Sequence, residues 1–470
     1  MSRPGTPDHP VRVAVVGAGP AGFFAAEHLF KQADLSVEVD VLDRLPTPFG
    51  LVRAGVAPDH QKIKGVTRVY EKTAANPGFR FFGNVTFGSD IGLGDLRSHY
   101  HAVIFATGAE KDRVLGIPGE DLPRSHSATE FVAWYNGHPD YRDLEFDLSQ
   151  KGVAVVGVGN VAVDVARILC KTAEELATTD IADHALDVLR ESRVEDVYVL
   201  GRRGPAQAAF TTPEIKEMGE LPETDVIVLP EEARLDPLSE KALAESEDHT
   251  LARKVELIQK FAATAPRGRP RRLHLRFLVS PVELTAAADG GVGGMRLVRN
   301  ELRADGKGNL RPRATERTEE LEVGLAFRSV GYRGVALPGI PFRDDWGVIR
   351  NERGRVVDDA GSPMPGLYAA GWIKRGPSGI IGTNKACSVE TVGVLLEDLA
   401  SGRLPTPEHP SAAAAEKLIR SRQPAVFDFE DWRRLDELET ERGAPLGRPR
   451  VKFTTVREMA EALGRSVPST

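Results

Sequence analysis

The sequence predicts an α/β protein of two parallel-sheet units, the second inserted into a discontinuous first. Three observations predict it. A short run rich in β-branched residues, Val11–Val16, enters a glycine turn at Gly17, Gly19 and Gly22, and a helix-forming stretch, Phe23–Phe30, follows at once. The same strand–turn–helix pattern recurs about 140 residues later, from Gly152 to Cys170, and self-similarity of this kind is read as architecture. Far along the chain, Gly366–Gly371 is a further apolar strand ending at a tight turn, placed to complete the first unit after the second has been built. Each unit is therefore read as Rossmann-like, the α/β fold that binds dinucleotides. The expected division is a disordered lead-in over 1–10, a first domain over 11–108 and 334–470, and a second over 109–333.

A chain of 470 residues is too long for one ordinary domain, and 41% hydrophobic with 27% charged residues describes a soluble globular protein. The net charge of −7 gives no support for nucleic-acid binding. No apolar run is long enough to span a bilayer, and the first ten residues hold no apolar stretch of the kind a secretory signal needs. A cytoplasmic location is expected. The two cysteines, Cys170 and Cys387, form no CxxC pair and are too few to hold an iron–sulfur cluster, so buried structural thiols are expected and no metal site is.

In the first turn, Gly17 allows the sharp bend, Gly19 lets the backbone approach a pyrophosphate, and Gly22 lets helix pack close on strand. The helix N-terminus then offers N–H groups to the phosphates. An acid that could hold a ribose hydroxyl, Asp43, closes the second strand, Val37–Asp43. The loop Arg44–His60 mixes Pro and Gly with apolar residues, a composition common in ligand walls. A helix is expected over 61–73, then a strand with a turn over 79–87. His101–Gly108 is an apolar strand ending in Ala-Thr-Gly, and the first stretch of the fold closes there. Arg113, in the next loop, is read as either solvated or ligand-contacting.

The second turn carries Gly157 and Gly159, with Ala162 at the third position, a permitted substitution. One such turn suits a dehydrogenase; two suit a protein that holds a flavin dinucleotide and a nicotinamide dinucleotide. The strand Val197–Leu200 runs into Gly201-Arg202-Arg203-Gly204. Two arginines at this point suit a ribose 2′-phosphate, which they can grip with forked, charge-assisted bonds. The second turn is thus assigned to NADP and the first, with Asp43, to FAD. Beyond it, Thr212 with Pro213 reads as a capped helix start, and Glu214 and Glu217 share a face; spacing alone favours a solvated helix end. Leu251–Ala263 reads as helix. The basic run Arg267–Arg276 leads into a strand, 273–279, and is read as a solvated edge or as a face for an acidic partner. Leu321–Gly331 is expected to return the chain to the first domain. The glycine-rich stretch Arg375–Asn384 precedes a helix, Lys385–Leu399, and the tail carries helices over 412–420, with Ser411 as cap, and 457–463.

With these pieces placed, the chain resembles the adrenodoxin-reductase type of ferredoxin–NADP reductase, in its actinobacterial NADPH–ferredoxin reductase form, over nearly its full length after residue 10. The resemblance rests on Pro48–His60, Gly157–Arg167, Gly201–Pro205 with Phe210-Thr211, and Gly371–Asn384, where Trp372 stands in place of the Asp of related flavoproteins. It implies an FAD site made with Ala21, Asp43, Leu51, Phe87, Trp372, Gly379, Ile380 and Ile381. Asp43 is shorter than the glutamate of many relatives. The resemblance implies an NADP site made with Arg113, Val158, Gly159, Asn160, Val161, Arg202, Arg203, Glu214 and Gly379. It also implies that His60 and Glu217 form a polar pair that positions the reacting rings without being an obligatory catalyst. The implied activity is hydride transfer from NADPH to the flavin N5, then release of single electrons to an acidic ferredoxin. A quinone or other small acceptor, or a flavin-bound NADP sensor without turnover, are the rival readings. A monomer without nucleic-acid or membrane partners is expected.

Overall fold

A computed structural model describes residues 4–465. They divide into two compact units. The first contains the chain up to Val56, His60–Lys111, and everything from Gly331 on; the second contains Ala57–Asp59 and Asp112–Val330.

The first unit is built on a seven-stranded sheet in the order Asn351–Glu352, Arg355–Val357, Pro363–Ala369, Ala102–Phe105, Val11–Val16, Val37–Asp43, Phe79–Gly83. The last five of these run parallel, with Val15 set between Val41 and Ile104, and the first two add antiparallel pairs at one edge. Val11, Val13 and Val15 face a core shared with Phe23, Leu29 and Val392, while Ala14 and Val16 face another with Phe82, Phe105 and Ile373. A parallel strand covered on both faces loses alternation and reads as a continuous apolar run, as Val11–Val16 does. Each fully buried valine contributes about 1.5 kcal/mol to holding the layers together. The helix Pro20–Phe30 begins with proline in its first turn and has no side-chain cap. The far helix Thr383–Ala400 packs along it, and Ser388 Oγ donates to the Ala21 carbonyl at 2.9 Å.

The second unit has a six-stranded, all-parallel sheet in the order Ser125–Ser127, Leu325–Arg328, Gly152–Val156, Asp196–Gly201, Arg271–Phe277, Thr224–Val228. Val153 and Val155 face a helical layer with Phe131, Val163 and Ile168. Ala154 and Val156 face Val279, Met295 and Leu297 of an antiparallel meander, Val279–Ala286, Val292–Ala304 and Leu310–Leu321.

Several local expectations are revised. The helix expected over 61–73 is two, Gln61–Lys64 and Thr67–Ala74, divided at Gly65, whose N–H closes the first on the Gln61 carbonyl. The cap position before Pro213 is Thr211, not Thr212; the Thr212 hydroxyl donates instead to the Thr250 carbonyl at 3.0 Å. Leu325–Arg328 is a strand of the second sheet, so the segment expected to return the chain does so only beyond Val330. Ser411 does cap its helix, accepting from Ala414 N. The meander and a third C-terminal helix, Phe429–Gly443, are not among the expected elements. Both cysteines are free and buried, and burial pushes the Cys170 thiol up to about 12.

Candidate functional site

The first unit carries a glycine turn at the C-terminal end of its central strand. Gly17 has φ 111°, and a Cβ there would stand 2.5 Å from the Ala106 carbonyl oxygen. A Cβ on Gly22 would stand 2.2 Å from the Gly17 oxygen, whereas one on Gly19 would meet nothing within 4 Å. The turn is therefore closed against the protein at Gly17 and Gly22 and open at Gly19, the shape a pyrophosphate needs. Asp43 is bound into this turn. Its carboxylate accepts from Ala18 N at 2.7 Å and from Leu45 N at 2.9 Å. Burial raises the Asp43 carboxyl above its ordinary range, against the pull of those two N–H groups.

The other residues expected around this turn come from distant segments. Ala21 is buried against Gly371, where a Cβ would stand 2.5 Å from the Ala21 methyl. The next residue, Trp372, stacks on Tyr332 with centroids 5.8 Å apart. Its indole Nε1 is buried and has no acceptor among the described residues. Phe87 is half-buried and packs edge-on to Phe105 at 5.3 Å. Leu51 is 45% and Ile380 60% exposed, large apolar side chains facing out of the fold. Gly379, Ile380 and Ile381 lead into Thr383–Ala400. An open Gly19, outward apolar residues and an unpaired buried indole donor together fit a flat, partly apolar ring system joined to a pyrophosphate. His60 also belongs to this unit and sits at the start of Gln61–Lys64.

The second unit repeats the closed–open pattern. Gly157 has φ 138° and its Cβ would stand 2.1 Å from the Ser329 oxygen, while Gly159 faces open space and Ala162 is fully buried. The turn is braced by the segment that follows the arginines. The Val158 carbonyl accepts from Ala209 N at 2.8 Å and Phe210 N at 2.9 Å, and Asn160 Oδ1 accepts from Thr211 N at 3.0 Å. Val158 to Val161 are half-buried. Arg202 is exposed and Arg203 half-buried, and neither meets a carboxylate among the described residues. Their backbone is fixed from the meander: Asn300 Nδ2 donates to the Arg202 carbonyl at 3.0 Å and Leu278 N to the Arg203 carbonyl at 3.1 Å. Burial, then the charges of Arg202 and Arg311, lower the Arg203 guanidinium from its ordinary value. An anion at this point would relieve that repulsion. Glu214 is buried in the first turn of Thr212–Gly219, Glu217 is half-exposed one turn on, and Arg113 is exposed.

Two charged groups here have roles that the sequence does not disclose, although Arg167 closes one of the segments that carry the resemblance. Arg167, 1% exposed on the helix Asn160–Cys170, is ion-paired with Asp59 and, at 2.5 Å, with Asp164. It thereby holds the residue that precedes His60. Lys254 is buried, donates to the Ala208 carbonyl at 2.5 Å and lies 5.7 Å from the Phe210 ring, which supports the brace on the second turn. Both sit mid-helix, where the partner is supplied by the tertiary fold. The basic run is largely spent inside the unit. The Arg269 guanidinium donates to the Leu221 and Thr224 carbonyls, Arg272 pairs with Asp196 and Arg276 with Glu232.

Two glycine turns on two parallel sheets, one set up for a flat ring system and one flanked by two arginines that meet no carboxylate among the described residues, define a pyridine-nucleotide oxidoreductase with two nucleotide-binding units. A model of the pyridine nucleotide-disulphide oxidoreductase family matches residues 11–199. The chain is 45% identical over 459 residues to NADPH-ferredoxin reductase FprA of Mycobacterium tuberculosis, covering 96% of this chain and 98% of that protein. It is 41% identical to the mitochondrial NADPH:adrenodoxin oxidoreductase of Arabidopsis thaliana, covering 96% and 95%. The structure of Mycobacterium tuberculosis FprA in complex with NADPH superposes with a TM-score of 0.90 at 44% identity, covering 97% of this chain and 99% of that one. The chain belongs to the NADPH–ferredoxin reductase family.

Proposed function

We propose that this chain passes electrons from NADPH through FAD to a ferredoxin. The observation that carries the reading is the contrast between the turns: the first ends on the carboxylate Asp43, the second on Arg202 and Arg203, which meet no carboxylate among the described residues. The first unit holds FAD, with Gly17, Gly19 and Gly22 under the pyrophosphate and Ala21, Leu51, Phe87, Trp372, Gly379, Ile380 and Ile381 around the rest. Asp43, bound to Ala18 N–H, fixes the turn and reaches the ribose only through its remaining acceptor capacity. The second unit holds NADP(H), with Gly157 to Val161 under the pyrophosphate, Arg202 and Arg203 on the 2′-phosphate, and Arg113 and Glu214 as further contacts.

Bound FAD supplies the conversion that side chains cannot, taking an electron pair with a proton and releasing electrons singly. The chain's own residues position and insulate. The N–H groups of the two helices without a side-chain cap would hold phosphate, and the buried Trp372 indole Nε1, without an acceptor among the described residues, would donate to the flavin cofactor. His60 and Glu217 position the nicotinamide and tune the charge beside the flavin. The acceptor is an acidic ferredoxin met by exposed arginines and lysines, the chain works as a monomer, and its site of action is the cytoplasm. Among the described residues no helix is long and apolar enough to cross a membrane.

Anaerobic addition of NADPH bleaches the flavin if the chain is an enzyme and leaves it oxidised if it is a sensor. Cytochrome c reduction that requires added ferredoxin supports the ferredoxin acceptor. Equal reduction without ferredoxin, with quinones turned over, overturns it in favour of a small acceptor.

A further inference from the structure

The loop after Thr47 lies directly on the first glycine turn. Phe49 N donates to the Ala18 carbonyl at 2.8 Å, and a Cβ on Gly50 would stand 3.0 Å from the Gly19 Cα. The backbone at Phe49 has φ 82°, a left-handed conformation that non-glycine residues rarely adopt. Leu51 follows it and opens the short helix Leu51–Ala54. A conformation of this kind persists only where the surroundings over-determine it.

The surroundings come largely from the C-terminal tail. The Phe49 ring, 2% exposed, packs on Phe23 and Tyr70 from the nucleotide fold, but also edge-on to Trp432 at 5.6 Å and to Phe429 at 6.5 Å. Both of the latter belong to Phe429–Gly443. Four residues after Phe49, the Arg53 guanidinium makes a two-pronged contact with Glu439, at 2.8 Å and 2.5 Å, and lies 5.0 Å from the Trp432 ring. Glu439 is completely buried and also accepts from Phe453 N at 2.9 Å and Arg450 at 3.3 Å. Lys452 Nζ donates to the Arg53 carbonyl at 3.3 Å. Burial alone would raise the Glu439 carboxyl, but Arg53 and then Arg450 outweigh it and hold it below its ordinary range. A buried ion pair is a poor way to gain stability, because desolvating both charges offsets their attraction. What a forked, fully satisfied pair supplies well is a fixed position.

We propose that the tail segment 429–453 is a working part of the flavin site: through Arg53 and Glu439 it clamps the Phe49–Leu51 loop in the conformation that retains FAD. Arg53 and Glu439 are positioning residues, and they reach the cofactor only through the loop. The proposal rests on the reading that the first turn and Leu51 hold FAD.

The test compares holoenzyme with Glu439→Gln, Arg53→Met and the milder Arg53→Lys, which keeps the charge and loses the fork. FAD release is followed by the rise of free-flavin fluorescence on dilution, and the flavin environment by visible circular dichroism. Affinity for 2′,5′-ADP, which probes the second unit, serves as the control. The expected result is release at least tenfold faster in Glu439→Gln and Arg53→Met, an intermediate Arg53→Lys, an altered visible dichroism, and 2′,5′-ADP affinity within twofold of the parent. Release within twofold of the parent in Arg53→Lys and in either stronger variant overturns the clamp, whatever happens to the melting temperature. Should the stronger variants not fold, Arg53→Lys alone decides by the same criterion. If Gly19→Ala also leaves FAD in place, the flavin reading of the first turn fails; if Gly19→Ala releases FAD and the Arg53 variants do not, only the clamp fails.

Discussion

Substituting alanine at two glycines of the same turn separates folding from cofactor binding. At Gly22 the new Cβ would stand 2.2 Å from the Gly17 carbonyl oxygen and 3.1 Å from Val15 Cγ1. The first of these is backbone at the tightest point of the turn, so strand and helix must move apart. Overpacking of this kind costs about 1–3 kcal/mol. At Gly19 the new Cβ would meet nothing within 4 Å, and the backbone, at φ −81° and ψ −176°, is open to any residue. The cost to folding is therefore within about 0.5 kcal/mol. The methyl stands where a pyrophosphate must come close to the helix N-terminus, so it is paid in affinity, at least tenfold, or about 1.4 kcal/mol. Thermal melts of the apoprotein should place Gly22→Ala several degrees below the parent and Gly19→Ala beside it. FAD content after gel filtration should fall in Gly19→Ala despite its intact fold. Retention of a full complement of FAD by Gly19→Ala, or equal melting shifts in the two variants, would refute the reasoning.

Replacing Arg202 and Arg203 together by Ala should weaken NADPH about 100-fold, from charge-assisted bonds of about 1.5–3 kcal/mol each discounted for their exposure, while NADH changes little; equal losses for both cofactors would show that no 2′-phosphate is held there. His60→Gln should slow hydride transfer in stopped-flow traces with FAD content unchanged, and traces identical to the parent would remove His60 from the reaction. Glu439 is held below its unfolded value, so its contribution to stability is present above about pH 4.3 and is lost as pH falls through the folded value. Acid melts should therefore be steeper below that pH for the parent than for Glu439→Gln, and superimposable slopes would contradict the charge assigned to Glu439. Ferredoxin-dependent cytochrome c reduction should slow as salt rises from low to physiological strength, and a rate indifferent to salt would argue against electrostatic docking.

The elements that the sequence made legible are those whose cause is local. Val11–Val16 and Gly152–Val156 announce themselves because both faces are covered, and Gly17 and Gly157 because left-handed backbone at a strand end needs glycine. Leu310–Leu321 does not, because it is charged on both faces: Arg311, Arg313, Glu316 and Glu320 face water, and of its residues only Leu321 is buried. Its strand character comes from pairing with Val292–Ala304, whose inner face supplies the buried residues. Phe429–Gly443 is hidden in the sequence for a related reason. One of its buried positions is Glu439, which reads as solvent-facing until Arg53, far away in sequence, is placed on it. In the first site, the acid expected after the glycines was found by its spacing, but spacing could not tell that the Asp43 carboxylate would be engaged by Ala18 N–H. Likewise the resemblance implies Asn160 only as part of the NADP turn, and the fold shows its amide oxygen holding Thr211.

The brief passage of Ala57–Asp59 through the second unit bears on modularity. A fragment spanning only Asp112–Val330 would carry the whole six-stranded sheet and the arginine pair but not Asp59. Arg167 would then lose one of its two close carboxylates. Exchange of nucleotide specificity between relatives by grafting this unit therefore requires three residues from a separate stretch of the gene to travel with it. A graft that leaves them behind carries a guanidinium matched to another protein's aspartate.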